Sequence, residues 1–153
     1  MKKISLFLFF VSLLLSFSLS AACNIYNGKK YGDCSNVNVN INASSNEILI
    51  VSDYKLVSNI INGAIVKKNA QLILTGISNK KIFVEKGGVL EVSGIVNGDI
   101  ENRGFINISG QVNGNINNYG EAVIEGIIEG QFYNQPLASV TAISGAIISG
   151  IPQ

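Results

Sequence analysis

From Gly88 onward the apolar positions of this chain fall into columns that repeat every 16 residues. The segments GVLEVSGIVNGDIENR (Gly88 to Arg103), GFINISGQVNGNINNY (Gly104 to Tyr119) and GEAVIEGIIEGQFYNQ (Gly120 to Gln135) align without a gap. PLASVTAISGAIISGI (Pro136 to Ile151) follows at the same spacing with a weaker pattern. One column holds Leu90, Ile106, Ala122 and Ala138, and the next holds Val92, Ile108, Ile124 and Val140. Later columns hold Val96, Val112 and Ile128, then Ile100, Ile116, Phe132 and Ile148. Ser93, Ser109, Glu125 and Thr141 alternate with the first two columns, which is the period-two signal of strands buried on one side. Val, Ile and Leu dominate the inward sites and Gly recurs every few residues, so a helical-hairpin repeat fits poorly. A unit this short cannot bury its own apolar face and must stack on its neighbours.

Gly94, Gly110 and Gly126, then Gly98, Gly114 and Gly130, mark corners where a coil changes direction without a Cβ in the way. Asn97-Gly98 and Asn113-Gly114 also read locally as hairpin turns of an antiparallel sheet. Hairpins, however, need no fixed 16-residue register, whereas stacked coils do. The column Asn102, Asn118, Asn134 fits stacked coils further, because amides in register can bond along the axis. Upstream, AQLILTGISNKKIFVEKG (Ala70 to Gly87) matches the repeat with two residues added, and LVSNIINGAIV (Leu56 to Val66) keeps an Asn-Gly corner before an apolar strand. VNVNIN (Val37 to Asn42) alternates strictly. The expected fold is all-β: a single-domain parallel β-helix over residues 37–151, with about six or seven coils of 16–18 residues. At roughly 4.8 Å per coil, the rod would be about 30 Å long.

The first 22 residues read as a secretory signal. Lys2 and Lys3 precede the apolar run Ile4 to Leu19, and Ser20-Ala21-Ala22 supplies small residues for cleavage before Cys23. The run is short for a membrane span and is interrupted by Ser12, Ser16 and Ser18. Export, to a bacterial periplasm or beyond, makes a Cys23–Cys34 disulfide the expected pairing, closing residues 23–36 into an N-terminal loop around Asn27-Gly28 that could cap the first coil. The alternative is a lipoprotein anchored at Cys23, against which Ser20 stands where the lipid signal usually has Leu.

Removing the leader leaves 9 basic against 10 acidic residues, a charge near −1. That balance predicts neither a nucleic-acid footprint nor a basic membrane patch. The chain has no His, which removes the commonest general base, the triads that rely on it and most zinc sites. Its carboxylates scatter over the columns, with Glu125 and Glu129 in one coil and Glu91 and Glu101 elsewhere. No catalytic, cofactor-binding or metal-binding residue is therefore assigned, and no small-molecule substrate is expected. Asn-x-Ser at Asn42 and Asn107 is expected by chance in a chain so rich in Asn.

Two surface features stand out. Ile77, Ile95 and Ile127, in a column with Gln111 and Ile143, would form an exposed apolar stripe if alternation holds through the corner. At the other end, Ile143, Ile147, Ile148 and Ile151 leave the last coil as an uncapped, strand-pairing edge.

The spacing apolar-x-apolar-x-Gly-x-Val-x-Gly-x-Ile, as in INISGQVNGNI (Ile106 to Ile116) and LEVSGIVNGDI (Leu90 to Ile100), resembles the bactofilins over about Gly63 to Gly150. The resemblance implies a compact right-handed β-helix that self-associates and is not a catalyst. The export signal and the Cys23/Cys34 loop depart from that family, whose members are mostly cytoplasmic scaffolds. The functional expectation is an exported, non-enzymatic structural protein forming a homo-oligomer through its C-terminal edge, as a dimer in preference to a filament. A periplasmic or cell-surface binding module (inhibitor, immunity protein or adhesin) with a protein or cell-envelope partner is the runner-up, and a carbohydrate-active enzyme the third reading.

Overall fold

The computed structural model describes residues 47–150 in full and the backbone of 24–26, 29–31 and 42–43. The leader, Cys23, Cys34 and Ile151 lie outside the described residues, as do the signal, disulfide and lipid-anchor readings that rest on them. The chain divides into two compact units, Met1–Asn36 and Val37–Gln153. In the first, Asn24–Tyr26 pairs antiparallel with Lys29–Tyr31 across a two-residue connection, the arrangement that Asn27-Gly28 favours.

The second unit is a β-solenoid of about six turns, all parallel and, among the described residues, without a helix. Each turn lays a strand on each of three faces. Face one stacks the first half of Tyr54–Ile60, the first half of Gln71–Ser78, then Val89–Val92, Phe105–Ile108, Glu121–Ile124 and Ser139–Ala142. Face two stacks Asn42–Ala43, the ends of those two long strands, Ile95–Val96, Gln111–Val112, and the starts of Ile127–Asn134 and Ile147–Gly150. Face three stacks Leu49–Val51, Ala64–Val66, Ile82–Val84, Ile100–Asn102, Ile116–Asn118 and the end of Ile127–Asn134. Asn97-Gly98 and Asn113-Gly114 sit at the corner between faces two and three, so they turn the coil and make no hairpin.

The core is a set of inward columns in register. Leu72, Leu90, Ile106 and Ala122 form one, and Val57, Leu74, Val92, Ile108 and Ile124 the next. Face two contributes Ile60, Ser78, Val96, Val112 and Ile128, and face three contributes Ala64, Ile82, Ile100, Ile116 and Phe132. All of these are buried. At the corner from face one to face two, a Cβ on Gly94, Gly110 or Gly126 would overlap the carbonyl oxygen of the glycine one coil below, so no other residue fits without moving the backbone.

The corner from face three to face one has two forms. After Val66 and Val84, both buried, it is four residues long and closes with a turn, Ala70 N–H donating to Lys67 C=O and Gly88 N–H to Glu85 C=O. After Asn102 and Asn118 it is two residues long, and the buried amide supplies the missing bonds. Asn102 Nδ2 donates to Asn118 Oδ1 at 2.7 Å and to Glu121 C=O at 2.9 Å, while its Oδ1 accepts from Gly104 N–H. Asn118 repeats the pattern toward Asn134, Ser139 and Gly120. The expected Asn column is thus an internal ladder, and its side chains do at a short corner what backbone does at a long one.

The last coil departs from the 16-residue spacing. Its corner Gln135 to Ala138 is again four residues, closed by Ala138 N–H donating to Gln135 C=O, with Leu137 at φ 71° where Asn69 and Gly87 hold the same left-handed position. Leu137 is fully exposed, and that conformation costs roughly 1–2 kcal/mol in a residue other than Gly. A second insertion follows at Ile143 to Ala146, with Gly145 at φ 101°. Hence Val140, and not Ala138, stacks on Ala122, and Ala142 stacks on Ile124. Ile148 stacks on Ile128, not on Phe132, and Ile147, not Ile143, stacks on Ile127.

The register makes a direct prediction. Ile108→Asp places a carboxylate between Val92 and Ile124, and an unpaired buried charge costs several kcal/mol, so soluble folded protein should be lost. Ser109→Asp, on the exposed corner beside it, should shift the urea midpoint by no more than roughly 0.5 kcal/mol of stability. Equal behaviour of the two variants contradicts the register.

Candidate functional site

Three surface regions carry chemistry, and the first is the end of the last described coil. Val140 and Ala142 occupy inward columns, yet both are exposed because no described coil covers them. With Phe132 and Ile148 they line a cavity of about 400 Å³ that also touches Tyr133, Asn134 and Gln135. The apolar end expected from Ile143, Ile147 and Ile148 is therefore built differently. Ile148 points into it, Ile147 points out of face two, and Ile143 stands exposed at a corner in the column of Ser109 and Glu125. Val140 and Phe132 were legible as core residues but not as end residues, because that required the two-residue slip.

The second region is face two. Ile77, Ile95, Ile127 and Ile147 form one outward column, each 37–54% exposed, so the alternation holds through the corner. Gln111 interrupts it and donates to Asn113 Oδ1 and Glu129 Oε1. Beside it runs an exposed amide ladder, Asn113 Nδ2 to Asn97 Oδ1 at 2.8 Å and Asn97 Nδ2 to Asn79 Oδ1 at 2.9 Å.

The third region is face three, where Glu101 accepts from Lys81 at 2.7 Å and from Arg103 at 3.0 Å. The Arg103 guanidinium lies between the rings of Phe83 and Tyr119, 5.3 and 5.6 Å from their centroids. The hydrogen bond from Lys81, joined by that from Arg103, holds the Glu101 carboxyl below the usual carboxylate range against the opposing pull of partial burial. Glu91 accepts from Gln71, and Glu85 from Lys67. These carboxylates thus serve cross-coil bonds on different faces, and among the described residues no group of three His, Cys, Asp or Glu could hold a metal ion.

No family model, curated protein or solved structure matches this chain. The functional reading therefore rests on geometry and charge. Among the described residues no helix is long and apolar enough to cross a membrane.

The charges are segregated along the axis. Residues 47–86 carry six lysines against three carboxylates, a net +3, while residues 87–150 carry Arg103 against six carboxylates, a net −5. The near-neutral total is the sum of a basic half and an acidic half.

Glu101 supplies a pH test. A carboxylate whose folded pKa is depressed contributes stability that is present above its unfolded pKa, about 4.3, and is lost as pH falls through the folded value. Urea midpoints of the wild type should fall as pH drops from 5 toward 3, and Glu101→Gln should flatten that slope while lowering the midpoint at pH 7. An unchanged slope contradicts the pairing.

Proposed function

We propose that this chain is an exported, non-catalytic structural protein whose solenoids associate end to end with copies of themselves. The observation that carries the reading is the end of the last described coil, where Val140, Ala142, Ile148 and Phe132 border a cavity at a parallel sheet edge. Such an edge is completed by another strand, and another solenoid supplies inward columns of the right chemistry. The bactofilin-like spacing of INISGQVNGNI supports the same reading.

Charge selects the geometry. Two C-terminal ends of this kind would bring acidic coils together, whereas a C-terminal end against the basic coils of a second copy pairs opposite charges. Head-to-tail contact is therefore favoured over the symmetric edge dimer, and such contacts do not close. A second reading has its own support. The isoleucine column of face two is a contact surface suited to a binding module with a protein or cell-envelope partner.

Light scattering over a concentration series decides between them. The mass of the wild type should keep rising with concentration, and the rise should weaken between about 0.1 M and 1 M salt, as the screening length shrinks from about 10 to 3 Å. Val140→Lys should give monomers, while Ile147→Lys, on face two, should leave the rise intact. A plateau at the dimer indicates the symmetric edge. A monomeric wild type at high micromolar concentration overturns self-association and promotes the binding module.

A further inference from the structure

The first three strands of face three present an outward column unlike the rest of that face. Ile50, Ile65 and Phe83 stand in register, and the column then turns polar at Glu101 and Asn117. Ile48 and Ile50 are about half exposed, and Ile48, Ala64, Ile65 and Phe83 line a shallow cavity of about 410 Å³ whose remaining wall is Asn62, Lys80 and Lys81. Lysines flank this strip on both long edges. Lys80 and Lys81 sit on the corner that enters the face, and Lys67, Lys68 and Lys86 on the corner that leaves it. Lys67 and Lys81 are engaged with Glu85 and Glu101, whereas Lys68, Lys80 and Lys86 are exposed and take part in none of the ion pairs among the described residues.

We propose that this basic half of face three is a docking surface for an anionic lipid bilayer. The strip fits an interface in which apolar side chains meet the acyl boundary while lysines on either side reach up to phosphates. Each row of cations lies beside the strip and not across it, so both rows reach headgroups while Ile48, Ile50, Ile65 and Phe83 face inward to the membrane. A nucleic acid or soluble polyanion would satisfy the lysines but leave the aliphatic centre against water. The acidic half of the solenoid would be held away from the same surface, so the rod would dock by one end of one face. The docking surface is a lateral face and uses none of the residues at the end of the last described coil, and it shares with head-to-tail contact only the lysines of the basic coils.

Vesicle flotation of the purified chain tests it. The wild type should float with vesicles of mixed phosphatidylcholine and phosphatidylglycerol, not with phosphatidylcholine alone, and high salt should reverse most of the binding. Lys80→Glu with Lys86→Glu should reduce flotation to the level of neutral vesicles, and Ile50→Ser with Ile48→Ser should also lose most of it. Urea midpoints close to wild type show that these exposed sites have left the fold intact. Equal flotation with neutral vesicles overturns the proposal. So does no binding to the anionic mixture, or full binding by the Ile48/Ile50 variant together with equal competition by heparin, which would mark a general polyanion site.

Discussion

Everything in this solenoid depends on how closely the backbone of one coil lies on the next. Where face one meets face two, the N–H groups of Ser109 and Gly110 both donate to the single carbonyl of Val92, and the N–H groups of Glu125 and Gly126 both donate to that of Ile108. That approach leaves no room for a Cβ on Gly110 or Gly126. It also fixes the coil-to-coil register, because sliding a strand would bring a side chain into the place that only glycine can occupy. With the register fixed, Leu90, Ile106 and Ala122 must stack, and each buried aliphatic side chain then adds roughly 1.5–3 kcal/mol. The stacked inward columns, and not any one coil, make the core.

The same constraint explains the asparagines. Shortening a corner from four residues to two deletes the turn that satisfies its backbone, and Val66 and Val84 give way to Asn102 and Asn118 where this happens. A buried amide there costs little because each of its atoms is bonded, to the amide above, to a carbonyl and to a glycine N–H. Sequence and structure agree closely here, since the Asn column and the two-residue corner arise together in the chain.

Other features were less legible. Strand facing has a period of two, so the two-residue insertion at Gln135 to Ala138 leaves the apolar-x-apolar pattern intact while moving Val140 into the place expected of Ala138. The pattern alone could not register it, although Pro136 and the later Ser144-Gly145 are turn signals that could have. Bonds such as Lys81 to Glu101 and Gln71 to Glu91 join residues 20 apart where stacked partners are 18 apart, because they run diagonally between columns. The separation of charge along the axis was present in the sequence but hidden by summing it: Lys55 to Lys86 and Glu91 to Glu129 cancel in a total and do not cancel in space.

If coils are interchangeable layers held by register, one whole period can leave without destroying the rest. Removing Gly104 to Tyr119 joins Arg103 to Gly120 and preserves every column, whereas removing Gly104 to Gln111 puts Ile116 of face three at the place of Ile108 on face one and Ile124 of face one at the place of Ile116 on face three. Circular dichroism with urea unfolding on both deletions is the direct test. The 16-residue deletion should keep the β spectrum and a single cooperative transition at a lower midpoint, and the shorter one should be unfolded. Loss of structure in both, or cooperative folding of both, would contradict a fold set by coil register.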